Sequence, residues 1–196
     1  MNIGFLGGRF DPVHLGHLGA VQDALHQHRL DRVIFVPTAQ VPHQSQRVHA
    51  AVEDRLAMLH LAIAGQLHWE ISDFELGRPG ASYTVDSVRH FRRLHPAERL
   101  FWIIGSDQLA QLHQWRSIRE LAVLIEFIVV ARPGHPRQPA GEIPALRLHH
   151  CNGRLSGTSA TELRDRVKHG RPIAHLVPEA VAEYIVRRAL YLGGDP

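Results

Sequence analysis

The chain is poor in the residues that would place it outside the ordinary folded, intracellular classes. It has one cysteine, Cys151, so no internal disulfide can form and no Cys-x-x-Cys pair is available for zinc. No apolar run reaches the roughly eighteen residues of a membrane span; the strongly apolar stretches, such as Phe127–Ala131, have the length of strands. The first residues carry neither a basic segment nor a signal-type apolar block, which predicts a protein that is neither exported nor inserted in a membrane and works in the cytoplasm. Lysine is nearly absent: Lys168 stands alone, and arginine supplies the remaining cations behind a net charge of +3. Those arginines are scattered along the chain rather than gathered into a stripe, so the charge predicts a solvated surface and no nucleic-acid partner. Histidine is abundant at 16 residues, but most, such as His26, His28, His60 and His113, stand apart and read as surface or satisfied side chains.

The apolar pattern alternates between two periods. Asn2–Leu6 reads as a short buried strand running into Gly7-Gly8, followed by Leu18, Val21 and Leu25 at helical spacing and by a second strand, Arg32–Pro37. Such strand–helix–strand units build parallel sheets with right-handed crossovers. Val52–Ala64 reads as a helix with Leu56, Leu59 and Ala62–Ile63 on one face, His68–Phe74 as a strand, and Thr84–Leu94 as a helix with Val85, Val88 and Phe91 inward. Arg99–Gly105 and Glu126–Arg132 are further strands, and Pro133–Pro144 a surface loop. The alternation predicts one doubly wound α/β domain over residues 1–196, with no repeat or low-complexity segment.

The last fifth, about 159–192, reads as helical. Ser159-Ala-Thr-Glu162 has the spacing of a capping box, so a helix should start at Ser159 and stop near His169, with Gly170 just past its end. A second helix should start near Pro178 and turn Val181, Tyr184, Ile185 and Ala189 inward.

The most informative stretch is Gly7-Gly8-Arg9-Phe10-Asp11-Pro12-Val13-His14-Leu15-Gly16-His17. Two glycines directly after a strand let the backbone approach a ligand closely. The turn then delivers the chain to a helix N-terminus, where free N–H groups and the dipole favour an anion. His14 and His17, three residues apart, fall on one face of that helix, and Gly16 between them leaves room for a bulky ligand. The features together describe a phosphate pocket with two imidazole donors. The run resembles the Gly-Gly-x-Phe-Asp-Pro-x-His-x-Gly-His signature of the nucleotidyltransferase α/β phosphodiesterase superfamily, in which both histidines contact the triphosphate of ATP. Arg9 stands where that signature usually has a small hydroxyl residue.

Further segments add to the resemblance. Ser82-Tyr83-Thr84-Val85-Asp86, where Ser82 or Thr84 could simply cap a helix, resembles the Ser-Tyr-Thr-x-Asp motif of nicotinate-nucleotide adenylyltransferases. Gly105-Ser106-Asp107 follows the strongest strand; Asp107 could cap the next helix or hold a ribose or a magnesium-bound water, and Trp115 could pack on the core or offer a stacking face. The Gly-x-Asp…Trp arrangement is similar to that of the nicotinate enzymes, where the tryptophan stacks on the substrate ring. Thr158-Ser-Ala-Thr-Glu-Leu-Arg164 is a capped helix start with an arginine one turn in, and it resembles the family's Ile-Ser-Ser-Thr-x-Ile-Arg motif, with Thr158, Ala160 and Leu163 as departures. Arg132-Pro133-Gly134 resembles its Arg-Pro-Gly, and Pro42-His43-Gln44 its Pro-His-Lys loop with glutamine in place of lysine; Arg47 lies three residues on.

The resemblance implies a Rossmann-like doubly wound parallel sheet with a C-terminal helical segment. It also implies adenylyl transfer from ATP to nicotinate mononucleotide, with Mg2+ carried on the phosphates and no metal held by protein side chains. His14, His17 and Arg164 are then the candidate catalytic residues. Gly7, Gly8, Arg9, Phe10, Gly105, Asp107, Ser159 and Thr161 join them as candidate ATP ligands, and Tyr83, Thr84, Trp115 and Arg132 as the nicotinate-nucleotide site. The alternatives are a pantetheine-phosphate adenylyltransferase-like enzyme and a nucleotide-binding regulator without catalysis. The partners implied are small molecules, and nothing in the sequence speaks against a homo-oligomer.

Overall fold

The computed structural model describes residues 1–38, 48–78, 80–131, 134–135, 138–139, 141–152 and 158–193. Among them the chain forms β1 (Asn2–Gly8), α1 (Leu15–Gln27), β2 (Arg32–Pro37), α2 (Val52–Ile63), β3 (Trp69–Ile71), α3 (Thr84–Leu94), β4 (Arg99–Gly105), α4 (Ser106–Leu109), a 3-10 turn (Leu112–Gln114), α5 (Ile118–Leu124), β5 (Glu126–Val130), β6 (Leu148–Cys151), α6 (Ala160–Lys168) and α7 (Glu179–Arg187). No helix among these residues is long and apolar enough to cross a membrane.

The six strands form one sheet in the order β3-β2-β1-β4-β5-β6, and every pairing is parallel. This is a Rossmann-like α/β fold. Strand side chains alternate between its two faces, and each face has its own core. Ile3, Phe5, Ile34, Val36, Leu100, Trp102, Phe127 and Val129 pack with α3 and α5 residues such as Val88, Phe91 and Leu121. Leu6, Val33, Phe35, Phe101, Ile103 and Ile128 pack with Val21, Met58, Leu163, Val181 and Ile185 from α1, α2, α6 and α7. Burial on both faces is what makes these strands read as continuous apolar runs rather than alternating ones.

The chain crosses from β3 at one edge back to β4 beside β1, so the strand order reverses between β1 and β4. At such a switch point the connections leave the C-terminal ends of neighbouring strands in opposite directions and open a crevice. The ends of β1, Gly7-Gly8, and of β4, Gly105, border that crevice.

Several expectations need correction. The strand expected over His68–Phe74 spans only Trp69–Ile71, because residues 74–77 turn and carry Glu75 back into the interior. β6 was not anticipated. Pro178 occupies the N-cap position rather than the first helical one, and Ala189, expected inward, is exposed with φ 50 beyond the helix end at Arg187. The cap of α3 is Tyr83, with no side-chain capping bond, rather than Ser82 or Thr84; Gly105, not Asp107, caps α4. The predicted cap at Ser159 is present: its Oγ accepts from Glu162 N at 3.1 Å, and Gly170 follows the helix with φ +63.

Candidate active site

The crevice contains a cavity of about 440 Å³, inside the roughly 300–1,000 Å³ of small-molecule sites. Part of its wall is built by the β1–α1 turn, through Gly7, Gly8, Arg9, His14, Gly16 and His17. A Cβ on Gly7 would come within 2.7 Å of Cζ2 of Trp102, so the turn needs glycine to pass this buried ring, itself part of the wall.

His14 is the N-cap of α1 and only 3% exposed. Its backbone N–H donates to Nδ1 of His17 at 3.3 Å, and the two rings stack with centroids 3.7 Å apart. Because Nδ1 of His17 accepts, the neutral ring carries its proton on Nε2. Phe10, with φ 49, is buried beneath the turn and meets the His17 ring edge-on at 5.1 Å, so it supports the histidine from the core rather than lining the cavity.

The turn is held from below by groups that sequence patterning does not reveal. The buried Asp11 carboxylate accepts from the backbone N–H groups of His49 and Ala50 at 2.8 and 3.1 Å and from the Tyr191 hydroxyl at 2.8 Å. Burial, then the adjacent carboxylate, pushes the Tyr191 phenol far above its ordinary value. Arg55, 1% exposed in α2, donates through one nitrogen to the carbonyls of Arg9 (2.6 Å) and Thr38 (2.8 Å), joining the end of β1 to the end of β2. In the helical pattern Arg55 reads as a solvent-side residue; a buried position among Leu56, Leu59 and Ala62 gives no sequence signal.

The 158–164 segment at the start of α6 reaches the same turn. Arg164 donates to the Asp11 carbonyl at 2.7 Å and to Thr161 Oγ1 at 3.2 Å. Burial lowers its pKa, a shift opposed by Asp11. Thr158 lies on the cavity wall, whereas Ser159, Thr161 and Arg164 do not; Ser159 spends its hydroxyl on the helix cap.

The rest of the wall includes Thr38, whose backbone N–H donates to the Gly8 carbonyl at 3.0 Å, together with Glu75, Ser82, Tyr83, Thr84, Gly105, Asp107, Gln114, Trp115 and Arg116. Trp115 is half-buried, its ring edge-on to Phe127 at 6.2 Å, so it both packs on the core and faces the cavity. Glu75 was missed by the sequence reading. Only 5% exposed, it accepts from Ser87 Oγ at 2.5 Å. Burial raises its pKa, and the hydroxyls of Ser87 and Thr38 offset this in part; Ser82 Oγ leans on the carboxyl outside ordinary hydrogen-bond geometry. Arg132, Pro133, Pro42, His43, Gln44 and Arg47 lie outside the described residues.

A parallel α/β sheet with a glycine turn, paired imidazoles and a switch-point cavity defines a nucleotide-binding fold of the nucleotidyltransferase class. The chain belongs to the cytidylyltransferase-like family, which it matches over residues 5–166, and within it to the nicotinate-nucleotide adenylyltransferase family. It is 52% identical over 191 residues to the protein named "Probable nicotinate-nucleotide adenylyltransferase" in Opitutus terrae, covering 97% of this chain and 98% of that one. A protein of the same name in Streptomyces coelicolor is 41% identical over 197 residues, covering 96% of this chain and 100% of that one. Among solved structures, the Plasmodium falciparum nicotinic acid mononucleotide adenylyltransferase complexed with NaAD superposes with a TM-score of 0.80 at 19% identity, covering 98% of both chains. At that identity the likeness is one of fold.

Proposed function

We infer that the chain transfers the adenylyl group of ATP to nicotinate mononucleotide, giving deamido-NAD and pyrophosphate. The observation that carries this reading is a single cavity whose wall holds both the glycine turn with His14 and His17 and the Tyr83, Thr84 and Trp115 side chains. On this reading ATP lies against the glycine turn and the pyridine ring against Tyr83 and Trp115.

The acceptor's 5′-phosphate is largely dianionic at neutral pH, its second pKa being about 6. Its oxygen attacks the α-phosphorus of ATP, and the bond from that phosphorus to the oxygen bridging the β-phosphorus breaks, releasing pyrophosphate. No general base is required. What the protein supplies is alignment and donors for the charge that builds on the leaving group. His17, its ring fixed so that Nε2 carries the proton, is one such donor. Arg164, tied to the turn through the Asp11 carbonyl, holds the C-terminal motif against it. On this reading Mg2+ is carried on the nucleotide's own phosphates. The ion, when bound, neutralises phosphate charge. The need for ATP fits a cytoplasmic setting.

The test is pyrophosphate release by the purified chain with Mg·ATP, offered nicotinate mononucleotide, nicotinamide mononucleotide or phosphopantetheine. Release with the first, well above the others, is expected. Release only with phosphopantetheine would keep the mechanism and overturn the ring site; ATP binding without any release would favour a regulator.

A further inference from the structure

Tyr83 and Arg116 both line the cavity, and the Arg116 guanidinium stands over the Tyr83 ring, 4.4 Å from the centroid. Among the described residues no carboxylate comes within ion-pair distance of Arg116, in contrast to Arg89, which meets both Asp86 and Glu120. A guanidinium set on an aromatic face keeps its in-plane N–H groups for another acceptor, and its fork matches a carboxylate. Among the described residues, the other lining groups that carry or can carry positive charge, Arg9, His14 and His17, all belong to the β1–α1 turn. Among the described residues, an anionic group on a ring held beside Tyr83 would therefore meet Arg116 as the lining cation outside the glycine turn.

We propose that Arg116 determines acceptor specificity: held by Tyr83, it binds an anionic substituent on the pyridine ring and so favours the carboxylate of a nicotinate nucleotide over a neutral carboxamide. This rests on the function inferred above. It commits to a direct contact, and the contact is one that a purely structural role would not mimic, because it distinguishes two acceptors of the same size and shape.

The experiment measures KM and kcat for nicotinate and nicotinamide mononucleotides in wild type, Arg116→Ala, Arg116→Lys and Tyr83→Leu, with calorimetric titration of both mononucleotides in parallel. Arg116→Ala should raise KM and Kd for the nicotinate nucleotide about tenfold or more, as expected for a lost charge-assisted contact. The nicotinamide values should change little, and kcat with ATP in excess should stay close to wild type. Arg116→Lys should restore part of the preference, and Tyr83→Leu should lose part of it. An Arg116→Ala variant that shifts both acceptors by the same factor, or neither, overturns the proposal even if wild type turns over nicotinate mononucleotide. Failure of the wild type with every pyridine nucleotide would instead overturn the function, while the titrations would still report whether the guanidinium prefers the carboxylate.

Discussion

The His14 backbone N–H donates to Nδ1 of His17 at 3.3 Å, and this one bond fixes which nitrogen of His17 holds its proton. With Nδ1 occupied as an acceptor, Nε2 is the donor of the neutral ring. His17→Ala should therefore lower kcat about 100-fold or more, in the range found for loss of one oriented donor to developing charge. Steady-state pyrophosphate release checks this, and an unchanged rate in a folded variant would remove His17 from the chemistry.

Gly7 is the position where the turn passes Trp102. Gly7→Ala would put a methyl 2.7 Å from the indole and force that buried ring, itself part of the cavity wall, to shift. We expect a loss of stability of about 1–3 kcal/mol, the usual cost of overpacking, together with weaker ATP binding. Urea unfolding and nucleotide titration would measure the two effects, and a variant with wild-type values for both would show that the ring yields freely.

Glu75 sets a pH dependence. Burial raises its pKa above the ordinary 4.5, so the folded chain keeps a proton that the unfolded chain has already released. Its contribution to stability is full below the ordinary carboxyl value and is lost as pH rises through the folded value. Glu75→Gln, which cannot ionise, should lack this component. Urea midpoints of both proteins from about pH 4 to about pH 8 should diverge, with the wild type losing ground as pH rises. A difference independent of pH would mean that the carboxyl titrates alike in both states.

Asp11 takes three hydrogen bonds on one buried carboxylate, from His49 N, Ala50 N and the Tyr191 hydroxyl. Tyr191→Phe removes one donor and should cost about 1 kcal/mol, whereas Asp11→Ala strands all three and should cost about 3 kcal/mol or more. Thermal or urea unfolding of the two variants tests the order. Equal costs would mean that the backbone donors find other partners.

The sequence made the sheet legible where both faces of a strand are buried, as in β1, β2, β4 and β5, because a continuous apolar run is then bounded by glycine, proline or charge. It failed at the edges. β6, Leu-His-His-Cys, pairs on one side only and half of it faces away from the core, so its pattern is polar. β3 was read too long because Phe74 extends its apolar pattern past the point where the backbone turns. The β1–α1 turn was legible as part of the cavity wall because paired glycines at a strand end and histidines one helical turn apart mark a backbone that bends closely around a crevice. Arg55 and Glu75 were not, since charged residues in a helical or loop pattern read as solvent-facing, and only the folded contacts show that each is enclosed.

The Tyr191–Asp11 bond spans 180 positions and so also orders events in time. Chains are made from the N-terminus onward, so the glycine turn leaves the ribosome 180 positions ahead of its phenolic anchor. Stalled nascent chains exposed only through β6 should accordingly retain little ATP in a filter-binding assay, while chains released after Tyr191 retain it fully. On this expectation a growing chain leaves the β1–α1 turn without its distant anchor until Tyr191 has emerged, and holds ATP only from then on.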